Sequence, residues 1–304
     1  MLAVGCDVCG GRESELFAAR PARQDVLHAR FVRCCACGFV YADPRATAAE
    51  SRQFYESLSG RGSGSLGAAV DSPEWLHAVA ARRAPLERAA RFLRRPAPVR
   101  FLDVGCGDGS ALAAARELGW EPHGLEYADW LVEAVAERLG IDTVSLGGIE
   151  EAEIEAESFD IVYSWHVVEH VLDIDAWLAN VARVLRPGGI VILGTESADG
   201  AYGKIWRGAF KLARRTPWPP TSTDHTYWFS RPSLETLVAR HGLEPVEART
   251  YENHPLEILR GESLSRLRNP RWAAALAVYL LSSIISLAAP RLGGKLRLVA
   301  IKPH

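Results

Sequence analysis

The stretch Phe101-Leu-Asp-Val-Gly-Cys-Gly-Asp-Gly109 decides the fold. It ends an apolar run from Val99 that reads as a buried strand, and it opens onto Ser110–Gly119, whose apolar spacing is helical. A strand that ends in clustered glycines and restarts as a helix is the turn at which open α/β sheets bind nucleoside-type ligands. Glycine is required because the backbone bends sharply and the ligand approaches it closely. The pattern is GxGxG, with an acid, Asp103, two residues before Gly105.

Around this turn the chain alternates strand and helix. Strands are expected at Val99–Val104, Pro122–Tyr127, Thr143–Leu146, Phe159–Trp165, Ile190–Gly194, Leu243–Tyr251 and Leu296–Ile301. Helices are expected at Asp129–Gly140, Asp173–Leu185 and Pro232–His241. Strands separated by helices of this length imply a parallel sheet with helices on both faces. The rhythm breaks at 197–230, an aromatic-rich segment read as a loop too long for a simple connector.

The acids around the turn narrow the ligand. Glu126 ends the next strand, where a carboxylate accepts both hydroxyls of an unmodified ribose. Asp103 would repel a phosphate at a helix N-terminus and suits a cationic amino-acid group instead. The pair therefore favours S-adenosylmethionine, which has a sulfonium and no phosphate, over a dinucleotide. Cys106 is read as a small residue fitting a tight turn.

In order and spacing, Phe101–Gly109, Glu126, Ser158-Phe-Asp-Ile-Val162, Glu169-His-Val171 and Leu185-Arg-Pro-Gly-Gly189 resemble the successive motifs of class I S-adenosylmethionine-dependent methyltransferases. The resemblance covers about 95–304, and within that superfamily it points to a branch with an N-terminal CxxC…CxxC module. It implies an α/β, Rossmann-like sheet of seven strands, mostly parallel with the last strand antiparallel. It also implies that Asp103, Gly105 and Gly107 line the methionine end, that Glu126 holds the ribose, and that Tyr127 flanks the adenine. Gly148 and Ile149 would sit at the adenine edge, with Asp108 and Trp165 completing the cofactor set. Gly148 stands where many relatives have a carboxylate for the adenine amine, so the backbone would make that contact.

Ligands of open α/β sheets sit beyond the carboxyl ends of the strands, which brings Trp165, His166, Glu169 and His170 to the ligand face. Methyl transfer is mostly alignment, and a base is needed only when the acceptor must lose a proton. His170 and His166 are candidate bases. His225, in Asp224-His-Thr-Tyr-Trp-Phe-Ser230, is a third. Tyr227 and Trp228 are expected to line an acceptor pocket, with Trp206, Arg207 and Trp218-Pro-Pro220 as its lid; the alternative is that these rings merely pack the loop. Ser230 is read as a helix N-cap without a capping box, for lack of an acid three residues on.

Of six cysteines, four form Cys6-x2-Cys9 and Cys34-x2-Cys37, separated by 24 residues, and each pair is followed by glycine. Two thiolate pairs complete a closed tetrahedral zinc site, structural rather than catalytic. Cys35 is surplus. A segment this short has difficulty building a core without such a staple. The domains expected are a zinc-binding module (1–45), a helical linker or cap (46–98) and the methyltransferase domain (99–304), including the substrate loop 197–230 and an apolar helix 271–290.

The 304 residues carry a formal charge of −2, and residues 1–50 hold six arginines against six acids, so the electrostatic footprint of a nucleic-acid binder is missing. That disfavours a ribosomal-RNA methyltransferase with a zinc ribbon. The intact glycine turn with Glu126 disfavours a non-catalytic cofactor-binding protein. A small-molecule or carbohydrate acceptor is preferred: a sugar nucleotide, a glycan or glycolipid, or a secondary metabolite. The N-terminus lacks a secretory pattern, so a cytoplasmic setting is expected. Trp272–Ala289 is 18 residues without a charge. Spanning a membrane would put the flanking strands of one sheet on opposite sides. Three placements stay open for this helix: packed on the domain, in a homodimer interface, or at a membrane surface.

Overall fold

A computed structural model describes residues 2–19, 27–58, 72–93, 98–213, 224–252 and 270–304. Its central feature is a seven-stranded sheet. In chain order its strands are β4 (Arg100–Val104), β5 (Glu121–Glu126), β6 (Val144–Leu146), β7 (Phe159–Trp165), β8 (Leu185–Glu196), β10 (Glu244–Tyr251) and β11 (Lys295–Ile301). They lie side by side in the order β10-β11-β8-β7-β4-β5-β6. β4 pairs in parallel with β5 and β7, β5 with β6, and β7 with β8. β11 runs antiparallel to β8: Gly188 N–H meets Lys302 O at one end, and Ser197 N–H meets Gly294 O at the other. The order reverses at β4, so the glycine turn after β4 sits at the switch point where such sheets bind ligands. The fold is the expected methyltransferase-like α/β architecture.

The helices are α1 (Ala48–Leu58), α2 (Pro73–Ala90), α3 (Ser110–Glu117), α4 (Asp129–Leu139), α5 (Ile174–Val184), α6 (Ala201–Leu212), α7 (Arg231–Arg240) and α8 (Pro270–Ala288). Their starts follow local chemistry. Ser72 caps α2 by accepting from Trp75 N–H at 3.2 Å, with Pro73 at the first helical position. Asp173 caps α5 by accepting from Ala176 N–H at 2.9 Å.

The chain divides into two compact units, each with its own apolar cluster. One unit comprises Tyr55–Gly194, Thr236–Glu247 and Leu298–His304. Its core joins Phe101, Leu112, Ala114, Val135, Ile161, Tyr163 and Ile192 with Trp75, Val79 and Leu86 of α2. Burying three large side chains of α2 contributes roughly 1.5–3 kcal/mol each, which ties this helix to the sheet.

The other unit comprises Met1–Phe54, Thr195–Glu235 and Ala248–Arg297. It contains a four-stranded sheet in the order β1-β2-β3-β9, from β1 (Ser14–Ala19), β2 (Arg30–Cys34), β3 (Val40–Ala42) and β9 (Tyr227–Trp228). All its pairings are antiparallel. Phe17, Ala18, Phe31, Val40, Ala42 and Trp228 form its core.

Two expectations are corrected. The segment 197–230 is not simply a loop: it contains α6 and β9, while its expected lid residues Trp218-Pro-Pro220 lie outside the described residues. The signal missed was Tyr202, Trp206 and Phe210, spaced four apart: along α6 Tyr202 stacks on Trp206 at 6.2 Å, and Phe210 meets Trp206 tilted at 5.6 Å. Ser230 does form a reciprocal cap, with Ser233 in the place of an acid: Ser233 N–H donates to Ser230 Oγ at 3.3 Å and Ser230 N–H to Ser233 Oγ at 3.0 Å. The apolar helix expected over 271–290 is present as α8. Ser282, Ser283 and Ser286 are buried, while Leu281, Ile284 and Leu287 are 50–61 % exposed. The serines tolerate burial because their hydroxyls donate to helix carbonyls, Ser282 and Ser283 to Tyr279 O and Ser286 to Ser282 O. Among the described residues no helix is long and apolar enough to cross a membrane.

Candidate functional site

The glycine turn opens onto a pocket of about 150 Å³ lined by Arg82, Asp103, Gly105, Cys106, Gly107, Asp108, Ser110, Ala111, Tyr163 and Trp165. Its glycines have distinct tasks. Gly105 (φ +78°) packs on Val167, and a Cβ there would collide with that side chain. Gly107 (φ +53°) faces open space, so its backbone lies bare at the pocket wall. Cys106 is buried beneath, its sulfur 3.0 Å from where a Cβ on Gly124 would stand, and burial pushes its thiol up. It is filler rather than a nucleophile.

Asp103, at the end of β4, is 2 % exposed. Burial pushes its carboxyl up to about 8; Arg82 opposes this, and Glu126 and Asp108 add to it. Asp108 starts α3 by accepting from Ser110 N–H at 3.0 Å. Glu126, at the end of β5, spans the turn: one oxygen accepts from Gly107 N–H at 3.0 Å, the other from Tyr127 and Ala128 N–H at 2.8 and 3.1 Å. Tyr127 is 63 % exposed and lies over Gly148, where a Cβ would strike the phenol. Ile149 is fully buried.

Trp165 ends β7 opposite Gly194 of β8, and its ring lies on that glycine. It stacks on Tyr163 at 5.8 Å and 7°, and the Arg82 guanidinium sits 5.3 Å from its ring centre. Arg82 was absent from the sequence-based candidates. It lies on α2, outside the glycine-turn motifs, and an arginine on an arginine-rich helix face carries no signal of its own.

Beyond Trp165 the backbone turns at His166 (φ +58°), a conformation uncommon for a side-chain-bearing residue. Its N–H donates to Gly194 O at 2.8 Å, which holds the turn. His166 Nδ1 lies 2.9 Å from Glu169 Oε1; the imidazole is 37 % exposed and the carboxylate 1 %. His170 Nδ1 is 3.3 Å from Tyr55 Oη. Glu169, named in the sequence only as part of a shared motif, is therefore the buried partner of a half-exposed histidine.

In the other unit, Cys6, Cys9, Cys34 and Cys37 converge, with all four sulfurs within 4.8 Å of one another. Cys6–Cys37 and Cys9–Cys34 lie at 3.4 and 3.5 Å. Four sulfurs about 2.3 Å from a central zinc would stand about 3.8 Å apart, so the cage fits that ion. The pairs sit on two matching turns. Gly10 N–H donates to Cys6 O and Gly38 N–H to Cys34 O, with both glycines at positive φ (+71° and +77°). This is why glycine follows each pair. Backbone N–H groups of Cys37 and Ala36 help bring Cys34 down to about 7 against the opposing effect of burial. Cys35 is exposed and outside the cluster.

His225 is also in this unit and is 4 % exposed. Tyr227, Trp228 and Phe229 are buried as well. Trp228 stacks on Phe31 and meets Phe17 edge-on, both at 5.3 Å. Tyr227 and Phe229 pack on Phe39 at 5.8 and 5.6 Å. The expectation that Tyr227 and Trp228 line an acceptor pocket is therefore corrected: they are core rings of the β1-β2-β3-β9 sheet. Arg207, expected in a lid, lies 4.4 Å over Phe17 and is largely buried, which draws its guanidinium down to about 10.

The family described as "Methyltransferase domain" matches residues 75–248. That span includes Arg82, the glycine turn, Glu126 and the His166–Glu169 pair. The chain is 32 % identical over 192 residues to the ubiquinone biosynthesis O-methyltransferase of Brucella anthropi, covering 59 % of this chain and 75 % of that one. It is 34 % identical over 180 residues to the Mesorhizobium japonicum protein of the same name, covering 55 % and 71 %. Among solved structures, a Haloferax volcanii complex of the Trm112 methyltransferase activator and a methyltransferase matches with TM-score 0.54 at 18 % identity, over 80 % of this chain and 100 % of that one. A Galdieria sulphuraria protein described as a sarcosine dimethylglycine methyltransferase matches with TM-score 0.51 at 19 % identity, over 84 % of this chain and 98 % of that one. These two likenesses concern the fold. A pocket at the switch point that holds an arginine and a buried carboxyl, and a family match that spans it, lead to one conclusion: the chain belongs to the methyltransferase-domain family and is an S-adenosylmethionine-dependent methyltransferase.

Proposed function

We propose that this protein methylates a hydroxyl of a small molecule, with a carbohydrate-type acceptor (sugar nucleotide, glycan or glycolipid) or a secondary metabolite as substrate class. The observation that carries the donor side is the pairing of Arg82 and Asp103 in one pocket. An amino-acid zwitterion needs a cation for its carboxylate and an anion for its ammonium, and these two side chains supply them. Glu126 would hold the ribose hydroxyls with the acceptor capacity its backbone contacts leave, and Gly107 would let the ligand approach the bare turn. When bound, the donor supplies a methyl group activated by its sulfonium.

The hydroxyl reading is supported by relatives named as O-methyltransferases and by the His166–Glu169 pair. With Nδ1 engaged by Glu169, Nε2 is the nitrogen left to take a proton. His170 and His225 remain secondary candidates for that role. Zinc in the four-cysteine cage would be structural, because four thiolates leave no open position.

Calorimetry with S-adenosylmethionine tests the donor reading, which fails if Glu126→Ala binds as tightly as wild type. A methyl-label screen over sugar nucleotides, glycolipids, phenolic metabolites and RNA tests the acceptor; labelling of RNA alone would overturn it. Metal analysis tests the cage: zinc should be present in wild type and lost in Cys9→Ser.

A further inference from the structure

The four-cysteine turns are joined directly to the segment that carries His225. Asp7 lies inside the first turn, between Cys6 and Cys9. Its two oxygens accept from both terminal nitrogens of Arg45 at 3.0 and 2.7 Å, and both side chains are at most 15 % exposed. The Arg45 guanidinium stands 4.9 Å over the ring of Tyr227, whose hydroxyl lies 3.4 Å from the same Asp7 carboxylate. The second turn leads into Phe39, which stacks on Tyr227, and into β3, which pairs with β9 at Val40–Trp228 and Tyr41–Tyr227. Ala42 N–H then donates to Thr226 O at 2.8 Å, one residue from His225. Both halves of the cage thus end on the same three residues, 226–228.

We propose that the cysteine module is the positioning element for His225, with Asp7, Arg45 and Tyr227 as positioning residues. The metal closes the Cys6–Cys9 turn, that turn orients Asp7, and Asp7 fixes Arg45 and Tyr227, which anchor β9. A buried, bidentate carboxylate–guanidinium pair is rigid only while both partners are held, because either one alone is a costly buried charge. Loss of metal should therefore release β9 and His225 while leaving the glycine-turn pocket intact. This inference rests on the readings that zinc fills the cage and that His225 is a secondary candidate for the base.

The experiment is amide hydrogen exchange on the full chain, zinc-loaded and after chelation, with Asp7→Asn and Tyr227→Phe as zinc-loaded variants. Stripping zinc should speed exchange at 225–229 at least tenfold and at 102–106 less than twofold. Asp7→Asn, which keeps all four thiols, should do the same at one zinc per chain. It should also raise labelling of His225 by diethyl pyrocarbonate at least fivefold relative to His304. Exchange and labelling at 225–229 within twofold of wild type in zinc-loaded Asp7→Asn would overturn the proposal. If that variant loses zinc, Tyr227→Phe, which removes only the hydroxyl, decides by the same criterion. Wild type free of zinc would refute the metal reading alone, and Asp7→Asn would still test the coupling of Asp7 to β9.

Discussion

Asp103 makes the donor site sensitive to pH in a way that can be worked out from its burial. With its carboxyl pushed up to about 8 in the free protein, only about a tenth of the molecules carry the anion at pH 7 and about a hundredth at pH 6. The ligand ammonium that the anion would receive titrates near 8 itself. If binding requires the charged pair, apparent affinity follows the product of the two fractions. It should rise about eightfold from pH 6 to pH 7, peak near pH 8 and fall again by pH 9. Each binding event at pH 6.5 should release about 0.9 proton. Calorimetry in buffers of different ionisation enthalpy reads that number directly. The sign for stability runs the other way. The folded carboxyl keeps its proton up to about 8, whereas the unfolded one loses it near 4, so the free protein should lose stability as pH rises between those limits. Asp103→Asn should remove both effects, stabilising the free protein at pH 8 and flattening the affinity profile at a lower level. A wild-type affinity that is flat from pH 6 to 8, with no proton released, would refute the reasoning.

Arg82→Ala should weaken S-adenosylmethionine binding roughly 10- to 100-fold, the loss of about 1.5–3 kcal/mol expected for a hydrogen bond to a charged group, measured by calorimetry. Gly105→Ala and Gly107→Ala should separate stability from binding. Both pay the strain of a side chain at positive φ, but the first also collides with Val167 and should lower the melting temperature further; the second meets no protein atom and should add a loss of donor affinity. Comparable melting-temperature losses in both would contradict that division. His166→Asn, which tolerates the positive φ, should leave donor affinity within about twofold and cut turnover of an identified acceptor by about 10²–10⁴, the range of general-base catalysis. An unchanged turnover would move the base to His170 or His225.

Much of this architecture was legible in the residues alone. GxGxG after a buried strand, Asp103 before it and Glu126 one strand later are local signals, because each residue type is dictated by the backbone or ligand it adjoins. The spacing of the cysteine pairs is likewise a local constraint, and the sulfurs converge as the spacing predicts. Other features carried no such mark. Arg82 reaches the pocket from a helix that precedes the motifs, and Glu169 matters through an imidazole three residues away. The aromatic segment after Phe210 read equally well as a pocket wall and as packing, since a sequence gives ring spacing but not burial. The sequence by itself determined the sheet, the glycine turn with its flanking acids, and the pairing of the four cysteines, where the requirement lies within a few consecutive residues. Only the tertiary structure decided that Tyr227 and Trp228 are core, that α8 buries three serines while Leu281, Ile284 and Leu287 are exposed, and that the first cysteine turn grips Arg45 and Tyr227. Those outcomes depend on which distant surfaces meet, and strand pairing across nearly two hundred residues is not encoded in local spacing.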